Sequence, residues 1–358
     1  MEDINAVVGG YLRDLASIQT DRPKAFGYKR AAAAILSLEQ PLTALVDARG
    51  VLQKISGIGP ASARVIAEVL DGGVSPGVEH AVDESGKRKD VEVARSLRRH
   101  FLSRAAVVQV LGDDRLAGPT RADYRGDLQM HSAWSDGSNS VEEIATACIE
   151  RGYSFAATTD HSYGLRIAGG MSMEDAAAQR AAIDAVNVEL AGDFRLLHGV
   201  EANIDADGAL DLTEDEAATF EIVLAAPHSA LRKAHDQTAR LLNAIAHPAV
   251  RILAHPRGRI GGTRPGIIAD WPTVFAAAAE RGVAVEIDGD PARQDLDYTL
   301  AARALDSGCL FALDSDAHTT GQLAYGDIAL AHARLAGIPP ERIVNCWPLD
   351  RLMAWLDA

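Results

Sequence analysis

Histidine and acidic residues follow short apolar runs throughout the second half of this 358-residue sequence. The first two examples are DLQMHSAWSD at residues 127–136 and TTDHS at residues 158–162. Five later runs end in the same way, at Glu201, at His228, at His255, at Glu286 with Asp288, and at Asp316 with His318. Imidazole nitrogens and carboxylate oxygens together suit Zn²⁺, Mn²⁺ or Fe²⁺ and form a poor cage for Mg²⁺ or Ca²⁺. The pattern predicts a site for several such ions.

The order of these residues indicates which elements position them. Seven apolar runs of β type are separated, in several places, by Ala- and Leu-rich segments of helical character. In a barrel of alternating parallel strands and helices, the carboxyl ends of all strands meet at one rim, where ligands are bound. We therefore predict an α/β fold, a (β/α) barrel whose mouth carries the metal site.

The composition limits the class of protein. The hydrophobic content of 47% is ordinary for a globular chain, and no run approaches the roughly 18 apolar residues that a membrane span needs. The N-terminal sequence MEDINAVVGGYLRDL is too acidic for a secretory signal. We expect a cytoplasmic protein without a membrane partner, and the sequence carries no signal for an oligomeric state. Cys148, Cys309 and Cys346 stand singly among apolar residues and are predicted to be buried thiols.

The residues before the barrel predict a separate helical region. We assign a small all-α domain to residues 1–73, a linker with a helical segment to residues 74–123, and the barrel to residues 124–358. Within the linker, residues 75–90 are rich in turn-forming and charged residues and are expected to be exposed. Residues 91–111 predict one helix, or a helix and a strand.

Inside the helical domain, LQKISGIGPASARVIAEVL at residues 52–70 predicts two short helices joined by a GIG turn. In a helix-hairpin-helix, glycines such as Gly57 and Gly59 let backbone amides approach a phosphate at a helix N-terminus. An ordinary tight turn between helices is the alternative. We favour phosphate binding because basic residues that supply counter-charge lie nearby, namely Lys24, Lys29, Arg30, Lys54 and Arg64.

The net charge of −15 is unevenly distributed. The first 120 residues carry about +1 and the remainder about −16. An acidic barrel does not attract long stretches of phosphate backbone. We therefore expect DNA ends to be bound through the N-terminal domain, with Lys24, Lys29, Arg30, Gly57 and Gly59 as the candidate contacts.

The stretches PKAFGYKRAA and SGIGPASA resemble the small N-terminal domain of family X DNA polymerases. Some members of that family use a lysine after the hairpin as a Schiff-base nucleophile. The matching position is Val65, and an aliphatic side chain cannot form an imine, so we expect no lyase activity. A polymerase palm is excluded because only about fifty residues, 74–123, lie between the helical domain and the barrel. The adjacent Asp113 and Asp114 would also face opposite sides of a strand.

From Gly126 onward the chain resembles the PHP (polymerase and histidinol phosphatase) domains. The motifs DLQMHSAWSDGS, TTDHS, HGVEANI, ILAHPRGRI, VEID and SDAH occur in the order of that family. The stretches HPRGRI, DPARQDLD and RIVNCWPLDRLMAWL are most similar to the version attached to bacterial family X polymerases. The resemblance implies a distorted (β/α)7 barrel that carries up to three divalent metal ions, Mn, Zn or Fe.

The resemblance also implies a set of ligands. One ion would be held by His131, Glu201 and Asp316, a second by Glu201, His228 and His255, and a third by Asp136, His161 and His318. Gln129 stands where the family has a further histidine of the first ion. An amide oxygen is a weaker, neutral ligand, so we expect the first ion to be bound loosely.

The chemistry implied is the hydrolysis of a phosphate ester by a metal-bound hydroxide. His131, Glu201 and Asp316 would act by holding the metals, and Arg257 and Arg259 would hold the substrate phosphate, unless they form a solvated loop pair.

Two further pairs of residues complete the assignment. Glu286 and Asp288 are predicted either to support ligands or to pair with Arg257 or Arg293. His198 and His247 are predicted to be structural.

Three functions follow from these motifs. The first is a 3′–5′ exonuclease or a 3′-end processing enzyme of DNA repair, in which the helical domain grips DNA. The second is a small-molecule phosphatase of the histidinol-phosphatase type, which the acidic barrel favours. The third is a DNA-binding module with an inactive barrel, and the retention of every ligand position except Gln129 speaks against it.

Overall fold

The computed structural model of the protein describes residues 2–190, 192 and 194–358. The chain forms two compact units. The first comprises Met1–Asp113 with Gly261–Thr263, and the second comprises Asp114–Ile260 with Arg264–Ala358. No helix among the described residues combines the length and the apolar character that crossing a bilayer requires.

The first unit consists of six α-helices, as the helical prediction for this region requires. They are α1 (Ile4–Ile18), α2 (Arg22–Leu36), α3 (Pro60–Gly72), α4 (Pro76–Glu84), α5 (Arg88–Leu97) and α6 (Arg104–Leu111). The starts of four of them are fixed by side chains that accept a hydrogen bond from a first-turn amide: Asp3, Asp21, Ser75 and Ser103. Apolar residues at helical spacing, such as Val8, Leu12 and Ile35, meet in one buried core.

Two of our predictions for this unit are wrong. Residues 75–90, expected to be an exposed linker, form α4 and the start of α5, because Val78 and Val82 are buried in the unit's core. The GIG turn is followed by α3, but residues 46–56 directly before it are not helical, and the preceding helix is a single short 3-10 turn at Leu42–Leu45. The chain there turns at Asp47, whose carboxylate accepts hydrogen bonds from the amides of Arg49 and Val51 and holds an extended segment.

The second unit is built on a sheet of seven parallel strands, paired in sequence order from first to last. The strands are β1 (Gly126–Asp127), β2 (Phe155–Thr158), β3 (Arg195–Asn203), β4 (Ile222–Ala226), β5 (Val250–Leu253), β6 (Ala284–Asp288) and β7 (Leu310–Asp314). The helices are α7 (Val141–Glu150), α8 (Met173–Glu189), α9 (Glu214–Ala217), α10 (Thr238–Ala246), α11 (Trp271–Arg281), α12 (Tyr298–Asp306), α13 (Gly326–Leu335) and α14 (Leu349–Leu356). The predicted (β/α)7 barrel is confirmed.

Alternate residues of the strands fill the barrel interior. Phe155 and Ala157 of β2 and Ile222, Leu224 and Ala226 of β4 belong to one buried cluster, as the two-residue period of a strand requires. The C-terminal helix α14 and the segment before it close this cluster with apolar side chains, among them Trp347, Leu352 and Leu356. The predicted burial of the thiols is observed for Cys148 and Cys309, and Cys346 is half-buried.

The seam between β1 and β7 is closed mainly by side chains. The Leu128 amide donates to Asp314 Oδ1 over 2.8 Å. The buried Asn345 spans the seam, since its amide group donates to the carbonyls of Gly126 (3.0 Å) and Leu313 (2.8 Å) and its oxygen accepts from the Leu313 amide (2.7 Å). Further along, Met130 pairs with Ala317 in parallel register. Asn345 thus replaces hydrogen bonds that a continuous strand ladder would supply.

We predict that Asn345→Ala lowers the free energy of unfolding of the barrel by about 2–4 kcal/mol, because it leaves several buried backbone groups without partners. Urea unfolding followed by tryptophan fluorescence measures this, since all four tryptophans lie in the second unit. Asn243→Ala is the matched control: Asn243 is exposed and donates one hydrogen bond, to the Asp207 carbonyl. Equal unfolding curves for both variants would contradict the role of Asn345.

Candidate metal centre

The parallel strands deliver the predicted ligands to one rim of the barrel. Glu201 lies within β3 near its carboxyl end, and the other ligands follow the ends of their strands. His131 follows β1, His161 follows β2, His228 follows β4, His255 follows β5, and Asp316 and His318 follow β7. The structure brings all of them, together with Asp136, into one cluster.

Glu201 is the centre of this cluster. Its side chain is 1% exposed and lies among four imidazole rings. Glu201 Oε2 lies 2.9 Å from His161 Nδ1 and 3.5 Å from His131 Nε2. Glu201 Oε1 lies 2.7 Å from His255 Nε2 and 3.4 Å from His228 Nε2. One buried carboxylate is therefore shared between two pairs of histidines, as a carboxylate that bridges two ions would be.

Asp136 forms the outer end of the cluster. Its Oδ1 lies 3.4 Å from His318 Nε2, 3.6 Å from His161 Nε2 and 3.9 Å from His131 Nδ1. The ring of His131 stacks between those of His161 and His318, with centroids 4.4 Å apart on each side. Each ring is therefore fixed by its neighbour.

Asp316 and Gln129 complete the inner end. Asp316 Oδ1 lies 3.1 Å from His131 Nε2. Gln129 is fully buried, and neither atom of its amide group has a hydrogen-bond partner among the described residues. A buried amide without a partner costs free energy unless it binds something else. This is the state expected of a ligand to an ion.

The donor atoms fit divalent metal ions. They form two groups, and within each group the ligand atoms all lie within 4.8 Å of one another. One group consists of His131, Asp136, His161 and His318, and the other of His161, Glu201 and His228. Several buried ligand atoms have no hydrogen-bond partner, including Glu201 Oε2, His228 Nε2 and Asp316 Oδ2. Buried donor atoms that lie this close together and lack hydrogen bonds need another partner, and a shared divalent cation provides one. The division of the ligands among individual ions stays a prediction.

Two ligand positions have unusual backbone conformations. The φ angles of His255 and Asp316 are +25° and +50°, in the region that side chains other than glycine rarely adopt. The amide of His255 donates to the Glu286 carboxylate. The carbonyl of Asp316 lies 2.8 Å from His318 Nδ1. Such strain persists where the surroundings fix it and is common at functional sites.

Some supporting residues were not identified from the sequence. Asp160 is fully buried and accepts hydrogen bonds from Ser132, Ser135 and Gln179, so it fixes the loop that carries His131 and Asp136. Asn203 Oδ1 lies 3.2 Å from His228 Nδ1 and orients that ring. The only signal in the sequence was the position of Asp160 beside His161.

The arginines after His255 have other partners than the one we predicted. Arg257 Nε lies 2.9 Å from Asp295 Oδ1, and its outer nitrogen lies 2.8 Å from Asp297 Oδ2. Arg259 is buried and donates to the carbonyls of residues 293 and 294. These contacts use the donors that substrate phosphate would need, so this geometry does not support the predicted phosphate-binding role.

Arg293 lies nearer to the ligands than Arg257 or Arg259. Its Nε is 3.4 Å from Asp316 Oδ2 and 3.6 Å from Asp288 Oδ2, and its side chain is 21% exposed. Of the partners predicted for Asp288, the structure selects Arg293. Glu286 supports the backbone of His255 instead. Nothing local in the sequence distinguishes Arg293 from the other arginines.

The predicted DNA contacts lie on the surface of the first unit. Lys24, Lys29 and Arg30 are exposed on α2. Gly57 adopts a φ of +81°, and Gly59 precedes α3 without a side-chain cap. The backbone amides at the start of α3 are therefore free of side-chain caps, while the role of these five residues stays a prediction.

Charges inside the cluster shift the pKa values of two of its histidines and of Glu201. Burial lowers the pKa of His161, but the carboxylates of Glu201 and Asp136 outweigh burial and raise it to about 10. The pKa of His318 is likewise raised to about 9, against burial, by Asp136 and Asp316. Burial raises the pKa of Glu201, but the histidines around it hold it well below the usual range.

His198 contrasts with these histidines. It is buried against Phe220, with the two ring centroids 4.7 Å apart. Burial and Arg180 lower its pKa to about 4. It is a neutral core residue, in agreement with the structural role predicted for it.

The chain is similar to proteins that carry the predicted domain. It is 37% identical over 233 residues to DNA polymerase/3′-5′ exonuclease PolX of Bacillus subtilis, which covers 65% of this chain and 41% of that protein. It is 29% identical over 247 residues to the probable phosphatase YcdX of Escherichia coli O81, which covers 66% of this chain and 95% of that protein. These similarities support the PHP domain predicted from the sequence motifs. No family model matches the chain.

The chain spans less than half the length of the polymerase it matches. A solved structure of histidinol phosphate phosphatase from Lactococcus lactis, in complex with zinc, L-histidinol and phosphate, matches with a TM-score of 0.46 at 15% identity. That match covers 59% of this chain and 94% of the phosphatase.

We predict that metal binding releases protons. At pH 7.5 the raised pKa values keep His161 and His318 protonated in the metal-free protein, and only the neutral rings bind metal. About two protons should leave on loading, and metal affinity should rise with pH. Calorimetric titration with Zn²⁺ in two buffers of different ionisation enthalpy measures the release. His80→Gln, which changes an exposed histidine of α4, is the control. Equal heats in both buffers would show that the rings are already neutral.

We also predict that Gln129→His tightens the weakest ion by at least about tenfold, because imidazole is a stronger ligand than an amide. Competition with a chelator, followed by elemental analysis, measures the affinity. Gln129→Leu has a similar volume and no ligand atom, so it should weaken the same ion. If neither variant changes the metal titration, Gln129 is not a ligand.

Proposed function

We propose that this PHP domain hydrolyses phosphodiesters at DNA ends, removing nucleotides from a 3′ terminus. The observation that carries the hydrolytic part is the convergence of five histidines and three carboxylates on one buried centre around Glu201. Bound divalent ions supply a nucleophile near neutral pH and stabilise the charge that develops on phosphoryl oxygens.

The protein's own residues orient this chemistry. Glu201 fixes two pairs of histidines relative to each other, so that the ligand atoms need no rearrangement when a substrate binds. Asn203 holds the ring of His228, and Asp160 holds the loop of His131. Arg293, beside Asp316 and partly exposed, is the cation best placed to contact a phosphoryl oxygen through its guanidinium group.

The choice of DNA rests on the first unit. Its exposed Lys24, Lys29 and Arg30 and the uncapped start of α3 provide positive charge and backbone donors of the kind that bind phosphates. The similarity to a polymerase with a named 3′-5′ exonuclease supports the same choice. A metabolite phosphatase would have no use for such a surface.

A small-molecule phosphatase is the second candidate. The probable phosphatase YcdX matches this chain over 95% of its length, although it shares only 29% identity. The net charge of about −16 after residue 120 also disfavours long polyanions. A barrel without activity is disfavoured by the intact ligand cluster.

The deciding experiment uses the full chain loaded with Mn²⁺ and a 5′-labelled single-stranded oligonucleotide. We expect a ladder that shortens from the 3′ end and that His228→Ala abolishes, because this variant removes a ligand. Release of phosphate from small esters without a ladder would favour the second candidate.

The proposed DNA-binding role of the first unit is tested separately by Lys29→Ala/Arg30→Ala. This double variant should weaken oligonucleotide binding and flatten the dependence of binding on salt concentration. The matched control is Lys89→Ala/Arg99→Ala, which removes two exposed charges elsewhere on the same unit. If the two double variants bind the oligonucleotide equally, Lys29 and Arg30 do not contribute to DNA binding.

A further inference from the structure

An apolar side chain is held in water at the rim of the barrel that carries the metal centre. Ile167 is 95% exposed, more than any other large apolar side chain among the described residues. It lies in the loop between β2 and α8, which also contains the candidate ligand His161. An isoleucine left in water forgoes the favourable free energy of burial. A ligand that covers Ile167 at this rim would recover that free energy.

Hydrogen bonds fix the loop that presents Ile167. The Met171 amide donates to the His161 carbonyl over 2.8 Å and closes the loop at its base. Near that base, Ser162 Oγ donates to the Asp211 carboxylate over 2.7 Å. The loop is therefore held in place before any ligand binds, which lowers the entropy that binding would cost.

The loop of Ile167 adjoins the loop of the candidate ligand Asp136. Gly169 has a φ of +66°, and a Cβ atom added there would lie 3.6 Å from the Ser135 carbonyl oxygen. The residue before Ser135 is Trp134, whose side chain is half-buried. An aromatic and an aliphatic side chain are thus carried by two adjoining loops, each of which also holds a candidate metal ligand.

A second aromatic ring lies at the start of the same loop. Tyr163 is 38% exposed, and its hydroxyl donates to Glu216 Oε2 over 3.1 Å, which fixes the outer end of the ring. We call Trp134, Tyr163 and Ile167 the apolar rim. Arg166 is exposed beside Ile167 and gives the loop a positive charge.

We propose that the apolar rim binds the nucleobase of the 3′-terminal nucleotide. The nucleobase is the flat group of a DNA end with apolar faces, and aromatic side chains stack on every base. Only the sugar separates it from the scissile phosphate, so a phosphate at the metal centre brings the base to the same rim. Arg166 supplies charge of the sign that a phosphate backbone requires. The inference rests on the proposed action on DNA and names the part of the terminal nucleotide that is recognised.

The test compares two 5′-labelled single-stranded oligonucleotides of the same sequence. One ends in a normal 3′ nucleotide, and the other ends in an abasic tetrahydrofuran residue. The wild-type protein with Mn²⁺ should cleave the terminal linkage of the abasic strand with a kcat/KM about 5- to 100-fold lower, which is the range that stacking of one base supplies. Ile167→Ala should lower kcat/KM for the normal strand at least about threefold and leave the abasic strand unchanged.

Three further variants make the test specific. Ile167→Leu keeps an apolar side chain of the same size and should retain most of the discrimination. Trp134→Leu should reduce the discrimination in the same direction as Ile167→Ala. Val188→Ala is the matched control and should behave as the wild type, since Val188 is 81% exposed near the end of α8, which runs back toward the opposite rim of the barrel. Metal content and the midpoint of urea unfolding verify that each variant is folded and loaded.

The outcomes separate the two proposals. If the wild type cleaves both strands equally, or if Ile167→Ala and Trp134→Leu keep the full discrimination, the apolar rim does not bind the terminal base, and action on DNA stands. If the wild type cleaves neither strand but hydrolyses p-nitrophenyl phosphate, action on DNA is wrong, and this inference fails with it.

Discussion

The structure depends on one buried carboxylate that is shared by four imidazole rings. Glu201 lies at the centre of the barrel mouth, and its oxygens approach four histidines without a matching set of hydrogen bonds. Charges and lone pairs so far from water are costly unless cations lie between them. Bound divalent cations would offset this cost at the cluster. The strand ends and loops around the site can be understood as the means of holding these few atoms in place.

The barrel supplies this rigidity in two ways. Parallel strands place the candidate ligands at one rim, and Asn345 closes the seam between β1 and β7 by hydrogen bonds to the carbonyls of Gly126 and Leu313. The loops are then fixed from outside the cluster: Asp160 holds the loop of His131, and Glu286 holds the unusual backbone of His255. The ligand geometry is thus built in before metals or substrate bind, which is the condition for strong electrostatic catalysis.

The metal centre limits the reaction to phosphate esters more strongly than it limits the substrate. Specificity has to come from the surroundings of the centre. The exposed basic patch on α2 is one such feature, and the proposed action on DNA uses it.

The sequence by itself determined the barrel and the clustered candidate ligands. Each candidate lies at or after the carboxyl end of a strand, and a parallel barrel brings all strand ends together whatever the details of packing. Tertiary structure decided the partners of the arginines, the helices α4 and α5, and the extended chain directly before the GIG turn. Arg257 is bound to Asp295, 38 residues away, and Arg293 lies beside Asp316. Such pairings depend on distances between loops, and local residue patterns do not contain them.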